Sequence, residues 1–201
     1  MNDAYQTRTT REAILDATDR MLAARGYKKM TIDDLAAEVG IGKGSVYLHF
    51  ESKEEIALSH IDGIIERLMK NLDVISRSNK SCEKRVAEML GERVLFRFDS
   101  VQHYRQSIDE LLAVVRPKLL ERRKRYFARE AKIFARLIEE GQSNGTFVKR
   151  DAAELADDLI MATNSLLPYS LSAVELGNRK DLEKKVNSLA RLLLQGMNSR
   201  S

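Results

Sequence analysis

Between positions 31 and 53, small, hydroxyl-bearing and basic side chains are spaced in a way that suits contact with a phosphate backbone. Lys43 can neutralise a phosphate, and the hydroxyls of Ser45 and Tyr47 can donate hydrogen bonds to one. Gly44 lets a phosphate approach the N-terminus of a helix, where free N–H groups bind anions. Leu48 can contact only the methyl group of a thymine. With flanking positions included, the candidate contact residues are Thr31, Gly42, Lys43, Gly44, Ser45, Tyr47, Leu48, His49 and Lys53.

Two short helices are predicted to position these side chains. Thr31 can cap the first helix, with Asp34 as its capping-box partner, and the apolar spacing predicts a helix over 32–39. Gly40 follows, and a glycine can adopt the positive φ that reverses the chain. A second helix is predicted over 43–49, so the segment forms a helix-turn-helix.

The second helix is only about two turns long, so its neighbours must hold it in place. Ile41 supplies an apolar wedge after the turn. Val46 and Phe50 stand four positions apart and are expected to face inward, because residues i and i+4 share a helix face. The polar residues between them are then left on the outer face.

The segment resembles the signature of the TetR family of transcriptional regulators, with departures at Gly42, where serine is usual, and at Glu51, where proline is common. The resemblance covers roughly 8–68 and implies an all-α subunit of about nine helices: an N-terminal helix-turn-helix head over 8–68 and a ligand-binding and dimerisation body over 69–201. It implies a homodimer that binds a palindromic double-stranded DNA operator and an unidentified small-molecule effector. The matching run is Thr31-Ile32-Asp33-Asp34-Leu35-Ala36, Val39 to Phe50, and Ser52-Lys53-Glu54-Glu55.

Beyond the head, apolar periodicity predicts helices over about 82–98, 101–115, 118–143, 151–175 and 179–197. In the resembling family, the last two helices pair with their two-fold mates, and such a contact spaces two recognition helices one DNA turn apart. Candidate interface residues are Leu155, Leu159, Ala162, Leu166, Val186, Leu189 and Leu193. The middle helices are expected to enclose a ligand pocket, with Phe96, Phe98, His103, Tyr104, Phe134, Met161, Asn164 and Tyr169 as candidate lining residues.

The helix from Lys53 to about Ile75 would belong to both head and body. We hypothesise that a ligand that prefers one arrangement of the body tilts this helix and releases DNA. The protein would then be a repressor that its effector removes from the operator.

Composition limits the other classes of function. Cys82 is the only cysteine and the three histidines are scattered, so no cofactor, metal site or catalytic constellation is predicted. Oxidation sensing by Cys82 is disfavoured, because a cysteine at a loop edge is usually inert. With no membrane span and no signal peptide, we expect a cytoplasmic protein.

Charge leaves two questions open. The net charge is +4, yet basic and acidic residues balance over 1–53, whereas 116–136 is strongly basic. This basic stretch could attract an anionic effector or a DNA phosphate, although a solvated helix face is the favoured interpretation. The alternative function is a helical ligand-binding or protein-interaction module that has lost DNA binding. Gly42 and Leu48 are the residues that favour this alternative.

Overall fold

The computed structural model describes residues 9–168, 175 and 177–199, apart from the side chains of 105–107. Within these residues the chain is helical, and the one strand-like feature is a bridge between Phe147 and Asn198. The all-α prediction is therefore confirmed. The elements are α1 (Thr10–Lys29), α2 (Ile32–Val39), α3 (Lys43–Tyr47), α4 (Lys53–Ser76), α5 (Cys82–Ser100), a short 3-10 helix (Gln102–Ser107), α6 (Ile108–Ser143), α7 (Ala152–Asn164) and α8 (Arg179–Met197).

The described chain divides into two compact units. The first extends through Gly63 and includes His103–Lys118, and the second comprises Ile64–Gln102 and the chain from Leu119 onward. None of the described helices is long and apolar enough to cross a membrane.

The first unit begins with two capped helices. Thr31 and Asp34 form a capping box at the start of α2, as the sequence predicts, and Thr9 and Glu12 form another at the start of α1. Met30, just before the second cap, is fully buried. These contacts satisfy N–H groups that a helix start otherwise leaves without partners.

The second unit has its core between α5 and α8. The buried side chains of this cluster are Val94, Phe98, Leu167, Leu182 and Val186, with Leu95, Phe127 and Leu166 packed against them. Apolar burial of this kind supplies the main favourable term in folding.

Two of the predicted helix boundaries are wrong. The helices expected over 101–115 and 118–143 are a single helix from Ile108 to Ser143 with Pro117 inside it. Pro117 has no N–H to donate to the carbonyl of Ala113, four residues earlier. Because Ala113 is exposed, water can hydrogen bond to that carbonyl instead. The helix expected over 151–175 ends at Asn164, where N–H groups bond three residues back and tighten the last turn before Pro168. Residues 169–174 of that prediction lie outside the described chain.

Gly141 is required for the packing of the turn that follows α6. An added Cβ would lie 2.2 Å from Cδ2 of Phe147, a ring that is only 1% exposed. We expect Gly141→Ala to lower the free energy of unfolding by about 1–3 kcal/mol, because the ring must move within a packed core. Urea denaturation measures this change.

The matched control is Gly91→Ala, in the middle of α5. An added Cβ at Gly91 meets no heavy atom within 4 Å. Alanine there should raise the free energy of unfolding by about 0.5–1 kcal/mol through helix propensity alone. Stabilisation by both substitutions would contradict the packing of Phe147 against Gly141.

Candidate nucleic-acid interface

The turn between α2 and α3 is closed by Gly40 in the left-handed conformation. Its φ is +76°, and its N–H donates to the carbonyls of Ala36 and Ala37. The N–H of Ile41 donates to Ala36 O at 2.9 Å. These bonds satisfy the last carbonyls of α2, and the positive φ directs the chain into α3 without the strain a side chain would add.

Buried apolar side chains hold α3 in place, as the sequence predicts. Val46 is fully buried and Phe50 is 3% exposed. The guanidinium carbon of Arg11 in α1 lies 4.9 Å from the centroid of the Phe50 ring. The short helix is thus anchored on one face.

The opposite face of α3 is open to solvent. Tyr47 is 48% exposed and Leu48 is 85% exposed. Ser45 is half-buried, and the remaining candidates Gly42, Lys43, Gly44 and His49 are exposed. An added Cβ at Gly44 would meet nothing within 4 Å, so the backbone at the start of α3 is accessible to an anion.

Lys43 pairs with an acidic residue of α2. Its Nζ lies 2.8 Å from Oδ2 of Asp33, and both side chains are at least half exposed. The hydrogen bond and the charge of Asp33 raise the pKa of Lys43 above its ordinary value. Exposed pairs of this kind contribute little energy, so a phosphate can replace Asp33 as the partner of the ammonium group.

Thr31 makes the capping contact that the sequence predicts, whereas Lys53 has structural contacts that the sequence analysis did not predict. The Thr31 hydroxyl donates to Asp34 at 2.7 Å and is the main reason that the pKa of Asp34 is lowered. The Lys53 ammonium donates to the carbonyls of Tyr27 and Met30, both at 2.9 Å. It also lies 4.3 Å from the centroid of the Tyr27 ring. Lys53 therefore fixes the connection between α1 and α2, from residues too distant in sequence for local patterns to reveal.

The Tyr27 ring stays neutral in this arrangement. Burial, with the nearby Glu54 carboxylate adding to it, raises the pKa of Tyr27 to about 12. A neutral ring above a lysine ammonium gives an attractive cation–π contact.

Two candidate pocket residues belong to the first unit. His103 Nε2 lies 2.9 Å from Oδ1 of Asp19 in α1, and His60 Nε2 lies 3.4 Å from the same oxygen. Tyr104 is 3% exposed and packs edge-on against both histidine rings. His103 thus has a polar partner in Asp19.

The remaining pocket candidates lie in different environments. Phe98 belongs to the α5–α8 core, Phe134 is fully buried, and Phe96 is half-buried. Met161 is 74% exposed. The Asn164 side-chain oxygen is enclosed and makes no hydrogen bond within the described part of the chain. Tyr169 lies outside that part.

The candidate interface residues differ in exposure. Leu155, Leu159 and Val186 are buried within one chain, whereas Ala162, Leu166, Leu189 and Leu193 are half-buried. Two large apolar side chains on α7 and α8 that the sequence analysis did not assign to the interface are exposed: Met161 and, at 66%, Leu192.

Buried arginines are the main feature that the sequence analysis missed. Arg93 and Arg97 of α5 are 0% and 2% exposed, and both pair with Glu130 of α6, which is fully buried. Arg93 also donates to the Thr163 hydroxyl of α7 at 2.7 Å. Charged side chains are rarely buried unless paired, so sequence patterns ordinarily assign them to the surface. The available signal was their position beside Val94 and Phe98 on an otherwise apolar helix face.

Most of the basic stretch in α6 borders solvent. Arg129 pairs with Glu66, and Arg136 lies 3.5 Å from Asp73, so α4 neutralises part of its charge. A surface groove of about 560 Å³ runs along this region. Its lining residues are Met69, Arg129, Lys132, Ile133, Ala135, Arg136 and Glu139.

Among the described residues there is no cluster of three His, Cys, Asp or Glu side chains that could hold a metal ion. Cys82 is buried and its sulfur accepts hydrogen bonds from Arg85 at 3.2 Å and from Asn144 at 3.4 Å.

Comparisons with known proteins point to one family. Residues 14–59 match the model of bacterial regulatory proteins of the tetR family. A helix-turn-helix transcriptional regulator from the lacX 3′ region of Lactococcus lactis is 37% identical over 70 residues, which are 35% of this chain and 36% of that protein. The chain thus matches about a third of the length of this relative.

Two further similarities extend over nearly the whole chain. The nucleoid occlusion factor SlmA of Shewanella pealeana is 27% identical over 187 residues, covering 92% of this chain and 95% of SlmA. The crystal structure of a transcriptional regulator from Cytophaga hutchinsonii has the same fold, with a TM-score of 0.77, 22% identity, and coverage of 94% of this chain and 98% of that one.

Proposed function

Because the chain belongs to the TetR family of transcriptional regulators and carries its helix-turn-helix domain, we propose that it is a dimeric repressor that an effector releases from its operator. The observation that carries the proposal is the exposed face of α3, where Tyr47 and Leu48 face solvent although Val46 and Phe50 hold the helix in place. A short, rigid, exposed helix of this kind fits the major groove of DNA.

The proposed contacts divide into two kinds. Lys43, Ser45, Tyr47, His49 and the N–H groups beside Gly44 contact phosphates and set the register on the duplex. Leu48 makes an apolar contact with a base edge in the groove. Thr31 and Lys53 complete the candidate set at the flanking helix starts, where their main effect is to hold the head in shape.

We propose that α7 and α8 form the dimer interface. Leu189, Leu192, Leu193 and Gly196 follow the three- and four-residue spacing of one helix face, and Leu192 is 66% exposed. Met161 of α7 is 74% exposed. Burial of such side chains against a second copy removes apolar surface from water, which favours association.

The effector would bind in the second unit. A ligand shifts a regulator between two arrangements only if it binds one of them more tightly, and the same difference in affinity then weakens DNA binding. The enclosed oxygen of Asn164 supports a ligand there, because buried polar groups ordinarily have a hydrogen-bond partner.

The test begins with selection of bound fragments from genomic DNA, followed by fluorescence anisotropy on a selected fragment across a salt series. Lys43→Ala should lower the slope of log affinity against log salt by about two, one lost phosphate contact for each head of a dimer. Tyr47→Ala should weaken binding about thirtyfold, since the two heads together lose two hydrogen bonds worth about 1 kcal/mol each.

Lys84→Ala in α5 is the matched control, because Lys84 is exposed but lies in the second unit. It should leave affinity and salt slope unchanged. Failure to select any fragment, or equal effects of all three substitutions, would favour the alternative of a helical module that has lost DNA binding.

A further inference from the structure

The ammonium group of Lys43 is held by a carboxylate of the neighbouring helix. Lys43 begins α3, and its Nζ lies 2.8 Å from Oδ2 of Asp33 in the first turn of α2. The other lysine of the candidate contact set, Lys53, donates to the carbonyls of Tyr27 and Met30. Lys43 is therefore the lysine of this set that a phosphate can reach, and a carboxylate already occupies the place of that phosphate.

Acidic side chains also pair with other basic residues of the first unit. Arg20 Nε lies 2.9 Å from Oε1 of Glu38, and Arg25 Nη1 lies 3.5 Å from Oδ1 of Asp34. Basic and acidic residues balance over 1–53. Because attraction to the DNA backbone depends on uncompensated positive charge, these pairs keep the electrostatic part of DNA binding small. The affinity then depends on which cations a phosphate can take from an internal partner.

The exposure of the Lys43–Asp33 pair allows such an exchange. The two side chains are 51% and 68% exposed, so water and ions reach both groups and the pair opens at little cost in energy. A phosphate that binds Lys43 leaves Asp33 beside a polyanion, where a cation from solution replaces the ammonium group. This uptake of a cation cancels part of the counterion release that favours DNA binding.

We propose that Asp33 is an internal competitor of DNA, a carboxylate that occupies Lys43 in the free protein and that the operator must displace. This inference rests on the proposed DNA-binding function. Asp33 acts through Lys43 and need not contact DNA itself. The pair lowers the affinity for DNA and makes binding less sensitive to salt than the number of phosphate contacts alone would make it.

The test measures the affinity of the full chain for a selected genomic fragment by fluorescence anisotropy across a salt series. Asp33→Asn should strengthen binding about fivefold, which corresponds to about 1 kcal/mol for two exposed ion pairs, one in each head of a dimer. The slope of log affinity against log salt should become steeper by up to about two, because no freed carboxylate takes up a cation. Asp33→Glu keeps the charge and should resemble the wild type in both respects.

Two further variants locate the effect at Lys43. In a Lys43→Ala background, Asp33→Asn should raise the affinity by less than about twofold, because the carboxylate then has no ammonium group to hold. Glu38→Gln is the matched control, since it removes the same charge from α2 but Glu38 pairs with Arg20 of α1. It should leave the affinity and the salt slope close to those of the wild type.

A purely structural role of Asp33 predicts the opposite change. A carboxylate in the first turn stabilises the start of a helix, so its loss would lower the melting temperature and weaken DNA binding. Melting temperatures of the variants without DNA measure this contribution. Tighter binding with a steeper salt slope therefore cannot come from a loss of stability.

The proposal is overturned if Asp33→Asn leaves the affinity unchanged or weakens it, if Glu38→Gln strengthens binding equally, or if the gain persists undiminished in the Lys43→Ala background. Wild-type protein that selects no DNA fragment contradicts the proposed function itself. Wild-type protein that binds a fragment, with an Asp33→Asn variant that binds it no more tightly, contradicts only the role of Asp33.

Discussion

Glu130→Ala is expected to lower the free energy of unfolding by about 3–5 kcal/mol, a large share of the 5–15 kcal/mol typical of a domain. The substitution leaves Arg93 and Arg97 buried beside each other with no carboxylate between them. It also creates a cavity where Glu130, which is fully buried, had packed. Urea denaturation followed by circular dichroism measures the loss.

Glu66→Ala is the control for this prediction. The Glu66–Arg129 pair joins two helices of the same unit, but its side chains are 54% and 47% exposed. Loss of such a surface pair should change the free energy of unfolding by no more than about 1 kcal/mol. Equal effects of the two substitutions would show that Glu130 is not the buried counter-charge of the arginines.

Leu192→Glu is expected to convert a dimer into monomers and to weaken operator binding by about a hundredfold or more. The substitution places a charge at the centre of the proposed α7–α8 interface, where a second copy would bring the same charge opposite it. A single head can then contact only one half-site, and binding approaches the weak, salt-sensitive level of non-specific contacts. Analytical ultracentrifugation gives the mass, and fluorescence anisotropy gives the affinity.

Val74→Glu is the matched control, because Val74 on α4 is 71% exposed and no part of the proposed interface. It should leave both the mass and the operator affinity unchanged. If the Leu192→Glu variant stays dimeric, the dimer interface does not include Leu192. If the wild-type protein is a monomer that binds its operator tightly, DNA binding does not require a dimer.

The helix-turn-helix was predictable because its signals are local. Thr31 and Asp34 cap the start of α2, and Gly40 ends the helix. The start and the end of α2 can each be recognised from residues within a few positions. Val46 and Phe50 then follow from helical spacing. Each local preference agrees with the final packing, which is typical of natural sequences.

The contacts that the sequence analysis missed join residues far apart in the chain. Lys53 bonds to carbonyls at Tyr27 and Met30, more than twenty positions earlier. Arg93 meets Glu130 and Thr163 from two other helices. Neither a backbone carbonyl nor a buried ion pair leaves a periodic signal, so local sequence patterns could not reveal these contacts.

The helix break predicted at Pro117 is wrong for a different reason. Proline disfavours a helix interior, but the cost is reduced where the carbonyl that loses its partner is exposed to water. Ala113 and Pro117 are both exposed, and α6 continues through them. Exposure depends on packing, and local propensity therefore could not determine this boundary.

The most direct test of the central claim, that two copies of the chain bind DNA through α3, is a hydroxyl-radical footprint on a selected fragment, combined with the mass of the complex. We expect two chains per duplex and two symmetric half-sites separated by about one helical turn of 10–10.5 base pairs, or a multiple of it. Lys43→Ala should weaken protection at both half-sites alike. A single protected site, one chain per duplex, or an unchanged footprint in the Lys43 variant would contradict binding of DNA by two copies through α3.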